Sequence, residues 1–391
     1  MITREELRHL AQVESPGGCA ISFYFQPQTP QDKSHREETI LVKDLVRNAL
    51  RHGERAGNHQ VLRDDLQRIL QKAEGLYGNH SRGKAIFACR ERGIWRELDL
   101  PARLGRSQLK VDSRFHLRPL VAAQSGSLRA CIALLNRLKA RIFELERHGE
   151  ELRQRTDLEF GPLSNTGRSD GYLGYAAGHR ERHVENEIKN HFKWFADSLY
   201  MLLNRDQFDA LLIGCRDDAW PDLEPHLHPY VKQRLQGRFL VDPAAASVEE
   251  VRDHANRILD KARDARREAL VREVIGEAHR NARGALGLRR VLHALERQEV
   301  QTLIVGRNFR AEAAECPHCR HLDTRMIHHC AVCGNPTREL GDVTDALVDL
   351  ALRNGAGIEF IEDGPNLEKA GNIAALLRFR ADQNTPQKVA V

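Results

Sequence analysis

Four cysteines near the C-terminal end have the spacing of a metal site. They are Cys316-Pro-His-Cys319 and Cys330-Ala-Val-Cys333, two C-x-x-C pairs ten residues apart. Each pair sets two thiolates on one tight turn, and two such turns wrap one tetrahedral Zn2+. Because all four ligand positions are sulfur, the spacing predicts a closed, structural zinc knuckle over 316–333 and no zinc catalysis. His318, His321, His328 and His329 stand near enough in sequence to replace a thiolate, which is the alternative reading. The other cysteines, Cys19, Cys89, Cys131 and Cys215, are single and far apart. Cys215 reads as structural, since no paired basic residue can be pointed to that would make it a nucleophile.

A second candidate is the glycine-rich stretch 161–179, with Gly161, Gly167, Gly171, Gly174 and Gly178. Glycine accepts positive φ and close backbone approach, which suits a segment threading beside RNA phosphates. Arg168, Arg180 and Arg182 suit phosphate contacts, and Tyr172 and Tyr175 suit stacking on bases. With Gly178 and His179 they form the predicted RNA-binding set; a connector with no partner is the alternative. His179 is also the one catalytic candidate, a general base for ester hydrolysis. Against that stands a helix-start histidine bonded to RNA or water, favoured because no partner carboxylate is identifiable. His179, His183, Glu187 and His191 form one helical stripe, read as a solvated face rather than a metal site. No Gly-x-x-x-x-Gly-Lys-Ser/Thr nucleotide loop is present in the chain.

The elements that would carry these residues alternate between strand and helix signals. Residues 19–25 (CAISFYF) read as a strand. Two helices follow, one with Leu41, Leu45, Val46 and Leu50 on its face, the next with Leu62, Leu66, Ile69 and Leu70. A polar turn, 51–58, separates them, and 84–89 is a short strand. After Ser125-Gly126-Ser127, a plausible boundary, 130–135 and 140–145 read as paired strands. Val184, Ile188, Phe192, Phe195, Leu199 and Leu202 mark a strong helix. Strands 208–214 and 238–241 then alternate with helices, which indicates an α/β layer. Ser247-Val-Glu-Glu250 opens a long charged helix. The last third reads helix, strand (300–305), knuckles, helix (343–352), strand (357–361) and a final β-like run, 373–379. The tail beyond Ala381 is polar.

The chain has 391 residues, room for two or three domains, with 41% hydrophobic and 29% charged residues, as in an ordinary soluble globular protein. Its formal net charge is +5, and arginine is preferred to lysine. Guanidinium groups suit bidentate phosphate contacts, so RNA is a permitted partner, although the arginine bias of a high-GC genome accounts for the same composition. The N-terminus has no apolar signal core, and no apolar run approaches the roughly 20 residues that cross a bilayer. Single cysteines beside a thiolate site fit a reducing compartment, so no membrane partner and a cytoplasmic location are expected.

The order of these pieces resembles the archaeo-eukaryotic class-I peptide-chain release factors and the related Pelota proteins, in a divergent bacterial-archaeal branch. The likeness spans nearly the whole chain. It rests on CAISFYF, two helices, the strand at 84–89 and Phe115-His116 before Pro119-Leu120. Further along it rests on the strand pair, the long loop, the long helix, FDALLIG and RFLVDP. In the last third it rests on Ala294-Leu295-Glu296 and Val300 leading into Thr302-Leu-Ile-Val305, with the knuckles after it. The resemblance implies a mixed α/β (α+β) fold in three domains: 1–125, decoding-site-like; 126–265, central, with the apical loop 161–179; and 266–391, like the kink-turn-binding proteins, with the knuckle inserted. It also implies entry into the ribosomal A site, contact with rRNA, and possible escort by a translational GTPase. Two departures limit it. Release factors carry Gly-Gly-Gln on the apical loop, whereas this loop reads Gly171-Tyr-Leu-Gly174-Tyr-Ala-Ala-Gly178-His179-Arg180. Their Asn-Ile-Lys-Ser codon reader is replaced by Arg51 to Asn58. The expectation is therefore a factor for stalled or idle ribosomes, in rescue or hibernation, without stop-codon-dependent release. Peptidyl-tRNA hydrolysis through the divergent loop is the alternative.

Overall fold

The structure, a computed structural model, describes residues 2–29, 32–55, 59–77, 83–100, 106–125, 128–137, 139–145, 152–155, 177–362 and 364–380. The side chains of 52–55, 59, 61 and 177–185 lie outside that description. Two compact units result, one made of 1–125 with 267–391, the other of 126–266. Where the sequence reading separates three segments, the first and the third share one hydrophobic core.

In the first segment, α1 (Arg4–Gln12) opens on a capping box. Thr3 Oγ1 accepts from Glu6 N at 3.1 Å, and Thr3 N donates to Glu6 Oε2 at 2.7 Å, so two otherwise unpaired helix-start groups are satisfied. Then come β1 (Ala20–Phe25), α2 (Arg36–Arg55), α3 (His59–Glu74), β2 (Gly83–Cys89), β3 (Ile94–Leu100), β4 (Gln108–Asp112) and α4 (Arg118–Gln124). The strands form an antiparallel sheet in the order β3-β2-β1-β4. β1 is buried on both faces, which is why it reads as an unbroken apolar run. Ile21, Phe23 and Phe25 meet α2 and α3 on one side. Ala20 and Tyr24 join the shared core on the other.

Three details differ from the expectation. The buried face of α2 is Val42, Val46 and Ala49, while Leu41 is exposed; its apolar stripe is wide, and only the sheet selects which edge is covered. The helix also runs on to Arg55, into the expected polar turn. β3 and β4 were not anticipated, because their half-buried pattern mixes charged residues with apolar ones.

The second unit contains β5 (Ala130–Leu135), β6 (Ala140–Leu145), β7 (Leu152–Arg155), α5 (Ala177–Asp206), β8 (Ala210–Cys215), α6 (Trp220–Leu223), α7 (Pro229–Arg234) and β9 (Leu235–Phe239). Its sheet runs β7-β6-β5-β8-β9, with β5, β8 and β9 parallel. Phe192, Phe195, Leu199 and Leu202 of α5 cover one face, and Val251 and Ala255 of α8 (Val248–His279) cover the other. Both central strands are consequently buried throughout. The β5–β6 turn closes where Lys139 N donates to Asn136 Oδ1 at 2.6 Å. Ser247 Oγ caps α8 by accepting from Glu250 N at 3.1 Å.

The last segment holds β10 (Gly284–Leu286), α9 (Leu288–Glu296), β11 (Val300–Gly306), β12 (Ala313–Glu315), β13 (Leu322–Asp323), β14 (Arg338–Leu340), α10 (Thr344–Arg353), β15 (Gly357–Ile361), α11 (Pro365–Lys369) and β16 (Ile373–Leu377). Its main sheet is β10-β16-β11-β15. Between β11 and α10 a small sheet, β13-β12-β14, carries the cysteines, so the knuckle is an insertion in a mixed α/β layer.

Candidate metal centre

The two C-x-x-C turns fold alike. In the first, Arg320 N donates to Cys316 O at 2.9 Å and Cys316 N to His321 O at 3.0 Å. In the second, Gly334 N donates to Cys330 O at 2.9 Å and Cys330 N to Asn335 O at 2.8 Å. Each turn ends on a left-handed residue, Arg320 at φ 65° and Gly334 at φ 74°. That reversal turns the chain back so that the next carbonyl, of His321 or Asn335, meets the N–H of the first cysteine. Glycine adopts it freely, and Arg320 does so against a cost of roughly 1–2 kcal/mol.

The four sulfurs all lie within 4.8 Å of one another, with Cys316 Sγ to Cys333 Sγ at 3.5 Å and Cys319 Sγ to Cys330 Sγ at 3.4 Å. Metal–thiolate bonds of about 2.3 Å in a tetrahedron put their sulfurs about 3.8 Å apart. The cysteines are free thiols, and the set could hold one metal ion with every position closed. Two N–H donors turn toward the sulfurs, Val332 N on Cys330 Sγ and Asn335 Nδ2 on Cys333 Sγ, each at 3.4 Å. Donors so placed favour the thiolate form that a metal needs. Among the described residues no other group of three or more potential ligands converges. His321 faces away from such a role: its Nδ1 is 2.6 Å from Glu296 Oε1.

Next to the centre lies a charged network that the sequence reading missed. Glu315, directly before Cys316, is 1% exposed, and its carboxylate meets Arg114, Arg338 and Arg320. Arg338 donates twice to Glu315 Oε2, at 2.9 and 2.6 Å. Arg114 also reaches Asp349 of α10 at 2.7 Å, and Asp349 lies 3.2 Å from Arg353. Arg353 and Arg320 close the ring on Glu14, at 2.9 and 3.4 Å. Burial pushes the Asp349 carboxyl up, against the pull of Arg114 and Arg353. Glu14 ends lower than an ordinary glutamate, because Arg353 and Arg320 outweigh its partial burial. The network thus ties the base of the knuckle to α1 and to the strand-end residue Arg114. Partners 201 and 235 residues apart leave no local signal; only the acid beside Cys316 hinted at it.

The RNA-binding candidates divide by position. Arg168, Tyr172 and Tyr175 lie outside the described residues. Gly178, His179, Arg180 and Arg182 fall on the first turns of α5, with their side chains outside the description. The stripe expected to be solvated is not so throughout, since His191 is 7% exposed. It stands beside Phe192 on the covered side of α5, and burial lowers its pKa. Cys215 is buried and its thiol is pushed up by desolvation, as is that of Cys131, to about 12, so neither offers a thiolate. Among the described residues, no helix is long and apolar enough to cross a membrane.

Residues 116–260 match the model of bacterial archaeo-eukaryotic release factor family 10. No curated protein matches the chain. Among solved structures it is similar to an archaeal translation termination factor, aRF1, at 15% identity, covering 97% of this chain and 99% of that one with a TM-score of 0.24. Archaeoglobus fulgidus Pelota aligns at 14% identity over 97% and 93% of the two chains, TM-score 0.33. S. cerevisiae Dom34, a translation termination-like factor, aligns at 9% identity over 76% and 80%, TM-score 0.40. The family match spans residues 116–260, the central third of the chain, and over that third the sequence is release-factor-like.

Proposed function

We propose that this chain is a ribosome-binding translation factor that occupies the A site of stalled or idle ribosomes and does not perform stop-codon-dependent peptide release. The observation that carries this reading is the match of residues 116–260 to a release-factor family, joined to an apical loop that holds no Gly-Gly-Gln. In it, 1–125 serves the decoding site, 126–265 presents the loop 161–179 to the large subunit, and 266–391 supplies the kink-turn-binding-like domain. Arg168, Tyr172, Tyr175, Gly178, His179, Arg180 and Arg182 contact rRNA, and a translational GTPase is a candidate escort. The protein works in the cytoplasm.

The metal at Cys316, Cys319, Cys330 and Cys333 is zinc in this reading, because an all-thiolate closed tetrahedron suits a borderline-soft ion with no redox chemistry. Its role is structural, holding the knuckle on its sheet.

Sedimentation with purified 70S ribosomes, with and without mRNA, tests the assignment. Co-migration at low salt is expected, and absence from the ribosome peak ends the reading. Ribosomes bearing labelled peptidyl-tRNA add a second arm. No release by the parent or by His179→Ala is the expected result, and release by the parent that His179→Ala abolishes would make the protein a hydrolase.

A further inference from the structure

In the second unit three aromatic rings stand in a row. Tyr200, on α5, stacks on His228 with centroids 4.0 Å apart and planes 25° apart; His228 is followed by Tyr230 at 5.1 Å and 51°. The local sequence His228-Pro229-Tyr230 builds this step. Proline disfavours a helical residue before it, so His228 is extended (φ −61°, ψ 143°) and becomes the N-cap of α7. Its Nδ1 accepts from Tyr230 N at 3.2 Å, which fixes the ring over Tyr200 and sends Tyr230 outward. Tyr230 is 58% exposed and Met201, beside Tyr200, is 59% exposed. With Tyr230 left open, the rings form a platform that no element among the described residues of their unit covers.

The rim of the platform is basic. Lys232 and Arg234 follow Tyr230 on α7, both exposed, and Lys193 lies seven residues before Tyr200, two turns along the same face of α5. None of the three has an ion pair among the described residues; Asp197 on α5, Asp222 on α6 and Glu224 directly after it are exposed acids nearby in the chain. An aromatic step bordered by cations suits a π-face attached to a phosphate chain better than it suits an apolar protein segment.

We propose that the Tyr200–His228–Tyr230 step is a stacking site for an unpaired RNA base, with Lys193, Lys232 and Arg234 contacting the flanking phosphates. For the source of that RNA, the ribosome, the proposal rests on the function proposed above; the stacking itself does not. Fluorescence anisotropy with a labelled dodecauridylate, without ribosomes, therefore tests the two separately. Tyr230→Ala should weaken binding about five- to hundredfold, the loss of one stacked base, and Tyr230→Phe should stay within about twofold. Lys232→Ala/Arg234→Ala should weaken it further and reduce the slope of log affinity against log salt by about 1.4. No binding by the parent, or equal binding by Tyr230→Ala and the parent, overturns the proposal. Oligonucleotide binding that depends on Tyr230, in a protein absent from the ribosome peak, would leave it standing while the ribosomal reading falls. Tyr230 is exposed, so the alanine variant should fold; unchanged circular dichroism checks this.

Discussion

The network at the base of the knuckle should behave as one energetic unit. Arg114→Met would weaken the pairing of two carboxylates, Glu315 at 1% and Asp349 at 11% side-chain exposure, leaving Glu315 with Arg338 and Arg320 and Asp349 with Arg353. Breaking a buried pair from one side costs about 3–5 kcal/mol; because Arg338 and Arg353 remain, about 3 kcal/mol is expected. Glu315→Gln removes the charge shared by three guanidinium groups, yet leaves an acceptor in place and lets the partly exposed Arg338 turn to water, so about 2–3 kcal/mol is expected. The double variant should lose about 4 kcal/mol, less than the sum, giving a coupling near 1–2 kcal/mol. The chain has three tryptophans, of which Trp95 alone belongs to the unit formed by 1–125 and 267–391. Urea unfolding followed by Trp95 fluorescence, in a background with Trp194 and Trp220 changed to Phe, reports on that unit. Strict additivity, with a coupling under about 0.5 kcal/mol, would refute the reasoning, since it would mean that the charges are solvated independently.

Three further outcomes follow from other parts of the molecule. Cys316→Ser should lower bound metal from about one ion per chain toward none, and a chelator should then reduce the urea midpoint of the parent but not of the variant; metal analysis beside unfolding checks both. Gly284→Ala would set a Cβ 2.3 Å from Val274 O and 2.4 Å from Ala278 N, backbone atoms of α8 that cannot swing aside, so a loss of about 1–3 kcal/mol is expected. Gly276→Ala is the control, its nearest neighbour being Arg280 Nη2 at 3.9 Å, and should be neutral or stabilising in thermal unfolding. Glu97, though burial raises it, is held at about 2 by Trp95 Nε1 at 3.0 Å and by Lys72 and Lys84. A carboxyl lowered in the fold stabilises it above its ordinary value of 4.5 and loses that contribution as pH falls toward 2. Glu97→Gln should accordingly flatten the acid limb of stability between about pH 4.5 and 2.5.

What could be read from residues alone was whatever neighbours in sequence settle between themselves. Two C-x-x-C turns place four sulfurs together because each turn is a local structure, repeated with the same two hydrogen bonds. CAISFYF and FDALLIG announced buried strands, and Phe192, Phe195, Leu199 and Leu202 announced the covered face of α5, because periodicity and burial are coupled along one element. Tertiary structure decided what depends on partners far along the chain. It turned α2 to bury Val42 rather than Leu41, drew His191 inward beside Phe192, and paired β3 and β4 with strands whose own patterns gave no hint of them. It also set Arg114 between Glu315 and Asp349. No sequence window spans such distances, and a buried charge is tolerated only where folding has already delivered its counter-charge.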